Sequence, residues 1–398
     1  VRVVIFCHSL VSDWNHGNAH FLRGIASEIL ALGHQLCIYE PHDAWSVQNL
    51  LKDHGRSALE RFRSAYPELR STRYHENRLD LTRALAGAHL VLVHEWNSPE
   101  LVRRIGEHHA THPQYTLFFH DTHHRAVTAP DEMRRYDLAH YDGVLAFGEV
   151  IRRIYLHNGW TRCAYSWHEA ADTRKFSPVE EPLKRADLVW IGNFGDDERT
   201  AELNEFLIEP VRRLGLRATV YGVRYPEGAV SDLGRAGIDY GGYLPNWEVP
   251  RAFAEHRLTV HIPRRPYAAQ LPGIPTIRPF EAMASGIPLV SAPWSDTERL
   301  FRPGLDYWVA EDGSAMTRAI RRLLDQPGVA RELARRARSA ILQRHTCAHR
   351  VQQLFDIRRA VLAERSCSPA ESSKLASHRR ESRATRIESG DDTTQRAQ

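Results

Sequence analysis

The feature that most constrains this chain is a pattern that occurs twice. Residues 1–7 form a short β-branched run, read as a buried strand. A polar loop containing Gly17 follows, then an amphipathic helix over about 19–32 ended by Gly33, then a strand at 35–39. Strand, glycine loop, helix and strand in close succession make a βαβ unit, hence a parallel sheet. Further buried strands are expected at 89–94, 115–120 and 143–147. A Pro- and charge-rich stretch, 172–183, interrupts the pattern. It then restarts with a strand at 187–192, a helix near 200–214 and strands at 217–221, 258–262, 288–291 and 307–310.

The expected class is therefore α/β. Two Rossmann-like parallel domains, 1–171 and 184–345, face each other across a cleft and are joined by a linker at 172–183. A helix over 346–365 is expected to cross back to the first domain. The Ser/Arg/Glu-rich tail, 366–398, is expected to be disordered. Sheets of this kind bind ligands beyond the carboxyl ends of their strands. No Gly-x-Gly-x-x-Gly follows the first strand, which argues against a dinucleotide cofactor.

Composition narrows the partners. With 53 Lys+Arg against 49 Asp+Glu the net charge is only +4, too little for a nucleic-acid face. The five cysteines are odd in number and contain no Cys-x-x-Cys, so reduced thiols are expected. No apolar run reaches the ~20 residues of a membrane span, and 3–7 is shorter than a secretory h-region. A cytoplasmic protein without an integral membrane segment is expected. The 23 histidines show no clean metal spacing, so no metal or other cofactor is expected.

The sharpest motif runs from Ile274 to Val290 and reads loop, helix, glycine stop, strand. Pro279 suits a first helical turn and Gly286 the C′ position. Glu281, placed in the first turn, offers a carboxylate to a ribose diol. Arg278, at the helix entry, offers a guanidinium to a diphosphate. Arg264 and Arg265 follow an apolar strand, and one of them is a candidate phosphate contact; Arg199, after Gly-Asp-Asp-Glu, is another.

This segment resembles the nucleotide-sugar signature of group 1 (family 4-like) GT-B glycosyltransferases, which ends Glu-Ala-x-Ala-x-Gly-x-Pro-Val. Arg-x-Phe-Glu-Ala resembles its CgeB-type, spore-maturation-like branch. Trp190-Ile191-Gly192-Asn193 looks like the first strand and glycine loop of the donor domain, and Asp172 to Pro178 like the linker motif Asp-x-x-x-Phe-x-Pro. The family pairs two glutamates eight positions apart; here Gly273 holds the first position. The backbone amides of Gly273 and Ile274 are then the expected donors to sugar or phosphate. The resemblance implies a nucleoside diphosphate sugar as donor, an acceptor of unknown kind, metal-independent transfer and retention at the anomeric carbon.

In the first half, His120-Asp121 resembles the cleft loop where a His approaches the donor sugar. His120 and Asp121 are the catalytic candidates, Asp121 orienting His120 or taking the acceptor's proton. Gly17, Asn18 and Glu95, all after predicted strands, are candidate acceptor or cleft residues, with Trp96 beside them. Glu169 is read equally as a cleft carboxylate or as interdomain packing. Two other readings of the same scaffold are a nucleotide-sugar 2-epimerase and a non-catalytic sugar- or nucleotide-binding maturation protein.

Overall fold

Thirteen strands fall into two wholly parallel sheets in a computed structural model that describes residues 1–180 and 184–366. The first holds β1 (Arg2–Phe6), β2 (Gln35–Pro41), β3 (Thr72–Tyr74), β4 (Leu90–His94), β5 (Thr116–Asp121), β6 (Gly143–Ala146) and β7 (Ala164–Ser166), in the order β3-β2-β1-β4-β5-β6-β7. The second holds β8 (Ala186–Ile191), β9 (Ala218–Tyr221), β10 (Ile238–Gly242), β11 (His256–His261), β12 (Leu289–Ser291) and β13 (Trp308–Val309), in the order β10-β9-β8-β11-β12-β13. In each sheet the order reverses direction beside the first strand. Crevices therefore open at β1/β4 and at β8/β11.

The buried runs explain the central strands. β4 is buried along all five residues and β5 along all six, as strands covered by helices on both faces require. The three-residue edge strands β3 and β7 carry no such run. The helix expected over 200–214 is broken into Thr200–Leu203, a π turn over Asn204–Ile208, and Glu209–Leu214. Pro210 has no N–H to donate and crowds the carbonyl four residues back, which widens the turn.

Both sheets belong to one compact unit, residues 1–353. Tyr267, Leu271 and Ile274, from the second half, pack in the core of the first. The last helix, Cys347–Ser366, begins against the end of the first sheet. There Trp167 Nε1 donates to the Arg350 carbonyl at 2.9 Å, and Arg350 Nε to the His168 carbonyl at 2.8 Å. A second unit starts at Leu354, and its described residues, 354–366, continue that helix. Linker residues 181–183, Cys367 and the tail expected from 366 lie outside the described residues, apart from Ser366, which ends the helix.

Candidate functional site

The two crevices open into one cavity of about 760 Å³. Its walls come from just beyond the carboxyl ends of strands in both sheets: Asp13 to Asn18 after β1, Trp96 after β4, Gly192 and Asn193 after β8, and Ile262 to Arg264 after β11. Asn193 Nδ2 donates across the cleft to Asn15 Oδ1 at 2.7 Å.

On the first side, Gly17 caps the helix Asn18–Ala31 without any side-chain bond. A Cβ added there would meet nothing within 4 Å, so this turn lies open to the cavity, although the Ala19 and His20 amides already donate to the His16 (3.3 Å) and Gly17 (3.1 Å) carbonyls. Asp13 is the anchor of this wall. Its Oδ2 accepts from Arg23 at 3.0 Å and from the Asn246 amide at 2.8 Å, and its Oδ1 from the Tyr243 hydroxyl. Burial alone would raise the Asp13 carboxyl. Arg23, His20 and these hydrogen bonds outweigh it and hold the carboxyl below its usual range. Glu169 also lines the cavity, and among the described residues its carboxyl has no hydrogen bond. Burial, reinforced by Glu281 and Glu95, pushes it up to about 8.

On the second side, Arg199, Arg264 and Arg278 reach the same space from three segments. Arg199 stacks on Trp190, 5.0 Å from the ring centroid, and donates to the carbonyls of Ile262 (3.1 Å) and Asn193. Burial, with Arg264 and Arg278 nearby, draws its pKa down to about 9. Arg264 pairs with Glu198 at 2.7 Å. Thr276, just before the helix Ile277–Ala284, has φ 62° and ψ 177°, a strained backbone for a β-branched residue. Three lining side chains hold a buried polar atom without a partner among the described residues: Asn18 Oδ1, His123 Nδ1 and Arg199 Nε. Buried polar groups are nearly always satisfied, so these three atoms leave the wall polar and incompletely paired.

Arg278, Arg199, Gly192, Asn193, Gly17 and Asn18 line the cavity. The other candidates lie elsewhere. Glu281 is the fifth residue of its helix, beyond the first turn, and is buried. Its Oε2 takes Arg278 Nη1 at 2.5 Å, and its Oε1 takes Asn246 Nδ2 at 2.7 Å and lies 3.1 Å from His20 Nδ1. Burial would raise its pKa, but Arg278 and His20 hold it low. Its carboxylate is spent on holding the wall. The amides of Gly273 and Ile274 are also taken, by the carbonyls of Ser295 (2.6 Å) and Leu271 (3.3 Å). Arg265 turns away to Glu202 at 2.8 Å, and its neighbour Arg264 takes the cavity.

His120, Asp121 and Glu95 are fully buried behind the wall. His120 Nδ1 lies 3.1 Å from His94 Nδ1, which is 2.9 Å from Asn18 Nδ2. Asp121 accepts from the His123 amide and the Tyr155 hydroxyl, and burial with Glu95 nearby holds its pKa well above the usual range. Glu95 accepts from Thr122 and pairs with Arg125 at 3.1 Å. At these strand ends Trp96, Thr122 and His123 are the residues that face the cavity. Asp13, His20, Trp45 and Tyr243 went unpredicted. The only signal for them was their position shortly after strands.

Among the described residues no group of three or more His, Cys, Asp or Glu is arranged to hold a metal ion, and no helix is long and apolar enough to cross a membrane.

A family model described as Glycosyl transferase-like matches residues 199–356. No curated protein matches the chain in sequence. Three solved structures are similar to it in fold. Sucrose-phosphate synthase from Thermosynechococcus elongatus superposes with a TM-score of 0.60 at 14% identity, over 91% of this chain and 99% of that one. A glycosyltransferase from Rickettsia africae gives 0.63 at 11%, over 91% and 98%. Anabaena Alr3699/HepE in complex with UDP gives 0.63 at 12%, over 90% and 100%. The shared architecture is the GT-B fold, two Rossmann-like parallel sheets with a cleft between their carboxyl ends.

Proposed function

We propose that this chain is a glycosyltransferase that moves a sugar from a nucleoside diphosphate sugar to an acceptor held by the first half, with retention and without a metal. The observation that carries this reading is the convergence of Arg199, Arg264 and Arg278 on one cavity that the Gly17–Asn18 turn, at the start of the helix Asn18–Ala31, also lines. The acceptor oxygen bonds to the anomeric carbon as the bond from that carbon to the diphosphate breaks. The electron pair leaves with the nucleoside diphosphate, which also takes the acceptor's proton. Negative charge grows on the diphosphate during this step, where fixed guanidinium groups and helix amides stabilise it most. Gly192 and Asn193 flank the donor. His120 and Asp121 act from behind the wall, His120 through His94 on Asn18 and Asp121 through the His123 amide.

The family match and the HepE structures, described with UDP and with UDP-glucose, support a nucleotide-sugar donor. The Arg278–Ala282 segment supports the CgeB-type branch. Free thiols at Cys7, Cys37, Cys163 and Cys347 fit the cytoplasm. A second reading, a binding protein without turnover, is favoured by Gly273 at the family's glutamate position.

The test is nucleoside diphosphate release from UDP-, GDP- and ADP-sugars by purified protein, with and without EDTA. Release from at least one donor, unaffected by EDTA, is expected. No release and no nucleotide binding across the panel would sink the proposal. Binding without release selects the second reading, and release abolished by EDTA removes the metal-free part.

A further inference from the structure

The cavity is divided by charge. Its four arginines, Arg199, Arg224, Arg264 and Arg278, all come from the second half, and no lysine lines it. The first half contributes three half-buried indoles, Trp14, Trp45 and Trp96, with His16, His123 and Asn49 beside them.

These rings are held in place. Trp45 stands in the middle, its centroid 6.5 Å from Trp14 and 6.5 Å from Trp96, edge-to-face with both. Trp14 Nε1 donates to Asp53 at 2.9 Å. The Arg125 guanidinium covers Trp96 at 4.0 Å while pairing with Glu95. His123 lies 5.2 Å from Trp96 and His16 lies 6.2 Å from Trp45. Fixed aromatic side chains give large contact area at little entropic cost.

This wall also lacks any lining Lys or Arg, and His20 on it is committed to Glu281 at 3.1 Å. Burial holds His16 and His123 well below the usual imidazole range, so both are neutral at pH 7. Of its two carboxyls, Asp13 is spent on Arg23, and Glu169 stays protonated up to about pH 8. We infer that this end of the cavity is the acceptor subsite and that it takes a neutral saccharide, with pyranose rings stacked on Trp45 and Trp96. A pyranose offers an apolar C–H face ringed by hydroxyls. The wall offers indole faces ringed by His16, His123 and Asn49. A phosphorylated or carboxylated acceptor would meet no lining cation on this side. A flat phenol would stack but bring few hydroxyls to pair with the polar rim of His16, His123 and Asn49.

The inference rests on the glycosyltransferase reading, and the test separates the two. The full chain is saturated with whichever of UDP, GDP and ADP raises its melting temperature most. Ligand-observed saturation-transfer NMR then follows maltotriose, cellotriose, mannotriose and triacetylchitotriose, with trigalacturonate as the acidic arm and p-nitrophenol as the aromatic arm. Saturable binding of at least one neutral trisaccharide is expected. Trp45→Ala and Trp96→Ala should each weaken it tenfold or more, and Trp45→Phe should restore part of it. Both alanine variants should keep the nucleotide-induced melting shift, which also shows that they fold. The subsite is overturned if nucleotide-bound protein binds no neutral trisaccharide, or binds only the acidic or phenolic arm. It is equally overturned if saccharide binding ignores both substitutions. If the parent gives no nucleotide response, the donor reading fails and takes the subsite with it.

Discussion

A Cβ placed on Gly273 would stand 2.6 Å from Glu298 Oε1, so the glutamate lies against the glycine with no room for a side chain between them. The Glu298 carboxylate is fixed there by the Glu149 amide at 2.8 Å and His168 Nε2 at 2.9 Å, both from the first half. Gly273 also has φ +96°, which L side chains rarely adopt. Gly273→Ala should therefore cost about 2–4 kcal/mol. In a Glu298→Ala background most of the steric part should be lost, leaving the backbone part and the contact with Thr297 Oγ1 at 3.1 Å. Urea unfolding of the two singles and the double measures this; additive costs would mean that the two residues do not constrain each other.

Arg199 separates stability from binding. Its guanidinium is part-buried, crowded by two other arginines and satisfied only by carbonyls. Arg199→Met keeps the packing on Trp190 and removes a costly charge, so the melting temperature should hold or rise. The stabilisation given by a nucleoside diphosphate should fall, with affinity down tenfold or more. An unchanged nucleotide response would take Arg199 out of the donor site.

Acid and alkaline stability have separate origins. Burial draws His8 down to about 4, and His94, His261 and His345 each to about 3. Unfolded, each titrates near 6.5, so the unfolded chain binds more protons below that pH. Their contribution is present above pH 6.5 and is lost as pH falls toward 3–4, at up to about 1.4 kcal/mol per pH unit for each group. Glu169 runs the other way. Its folded carboxyl titrates near 8 against about 4.5 unfolded, so its contribution is present at low pH and is lost as pH rises toward 8. Glu169→Gln, which mimics the protonated acid, should melt close to the parent at pH 5 and increasingly above it by pH 8. A melting gap that does not change with pH would place Glu169 in water.

Thr276 carries strain at the mouth of the Arg278 helix. Replacing it with glycine should raise stability by about 1–2 kcal/mol. Freed backbone at that point should also blur the position of Arg278 and weaken nucleotide binding severalfold. Calorimetric melting and nucleotide titration of Thr276→Gly read the two effects separately. A destabilised variant would mean that the threonine side chain outweighs its backbone.

Much of the scaffold was legible because long apolar runs have one physical solution. β1, β4, β5 and β8 could not be solvated, and the break at 172–183 divided the two sheets. β3 and β7 escaped because neither carries an apolar run. The site was legible by region and not by side chain. Just beyond a strand end no period fixes which way a side chain faces, so sequence position alone does not separate Arg264 from Arg265 or Trp96 from Glu95. The motif around Arg278 located a helix and its stop at Gly286, which has φ +71°. Its start, at Ile277, depends on a strained Thr276 that local propensity does not announce, and that start decides whether Glu281 meets a ligand or a neighbour.

The interleaving of the two cores bears on how such a chain can be taken apart. Tyr267, Leu271 and Ile274 plug the first half, and Ile274 sits so close to Gly148 that a Cβ there would lie 2.5 Å from it. In return the last helix starts on Trp167 of the first sheet. Severing the polypeptide at 172–183 would thus give fragments that each lack a piece of their own interior, partners for complementation and poor candidates for separate expression. Chimeras that graft a new donor half will keep their solubility only if the 265–274 segment stays matched to the half it plugs.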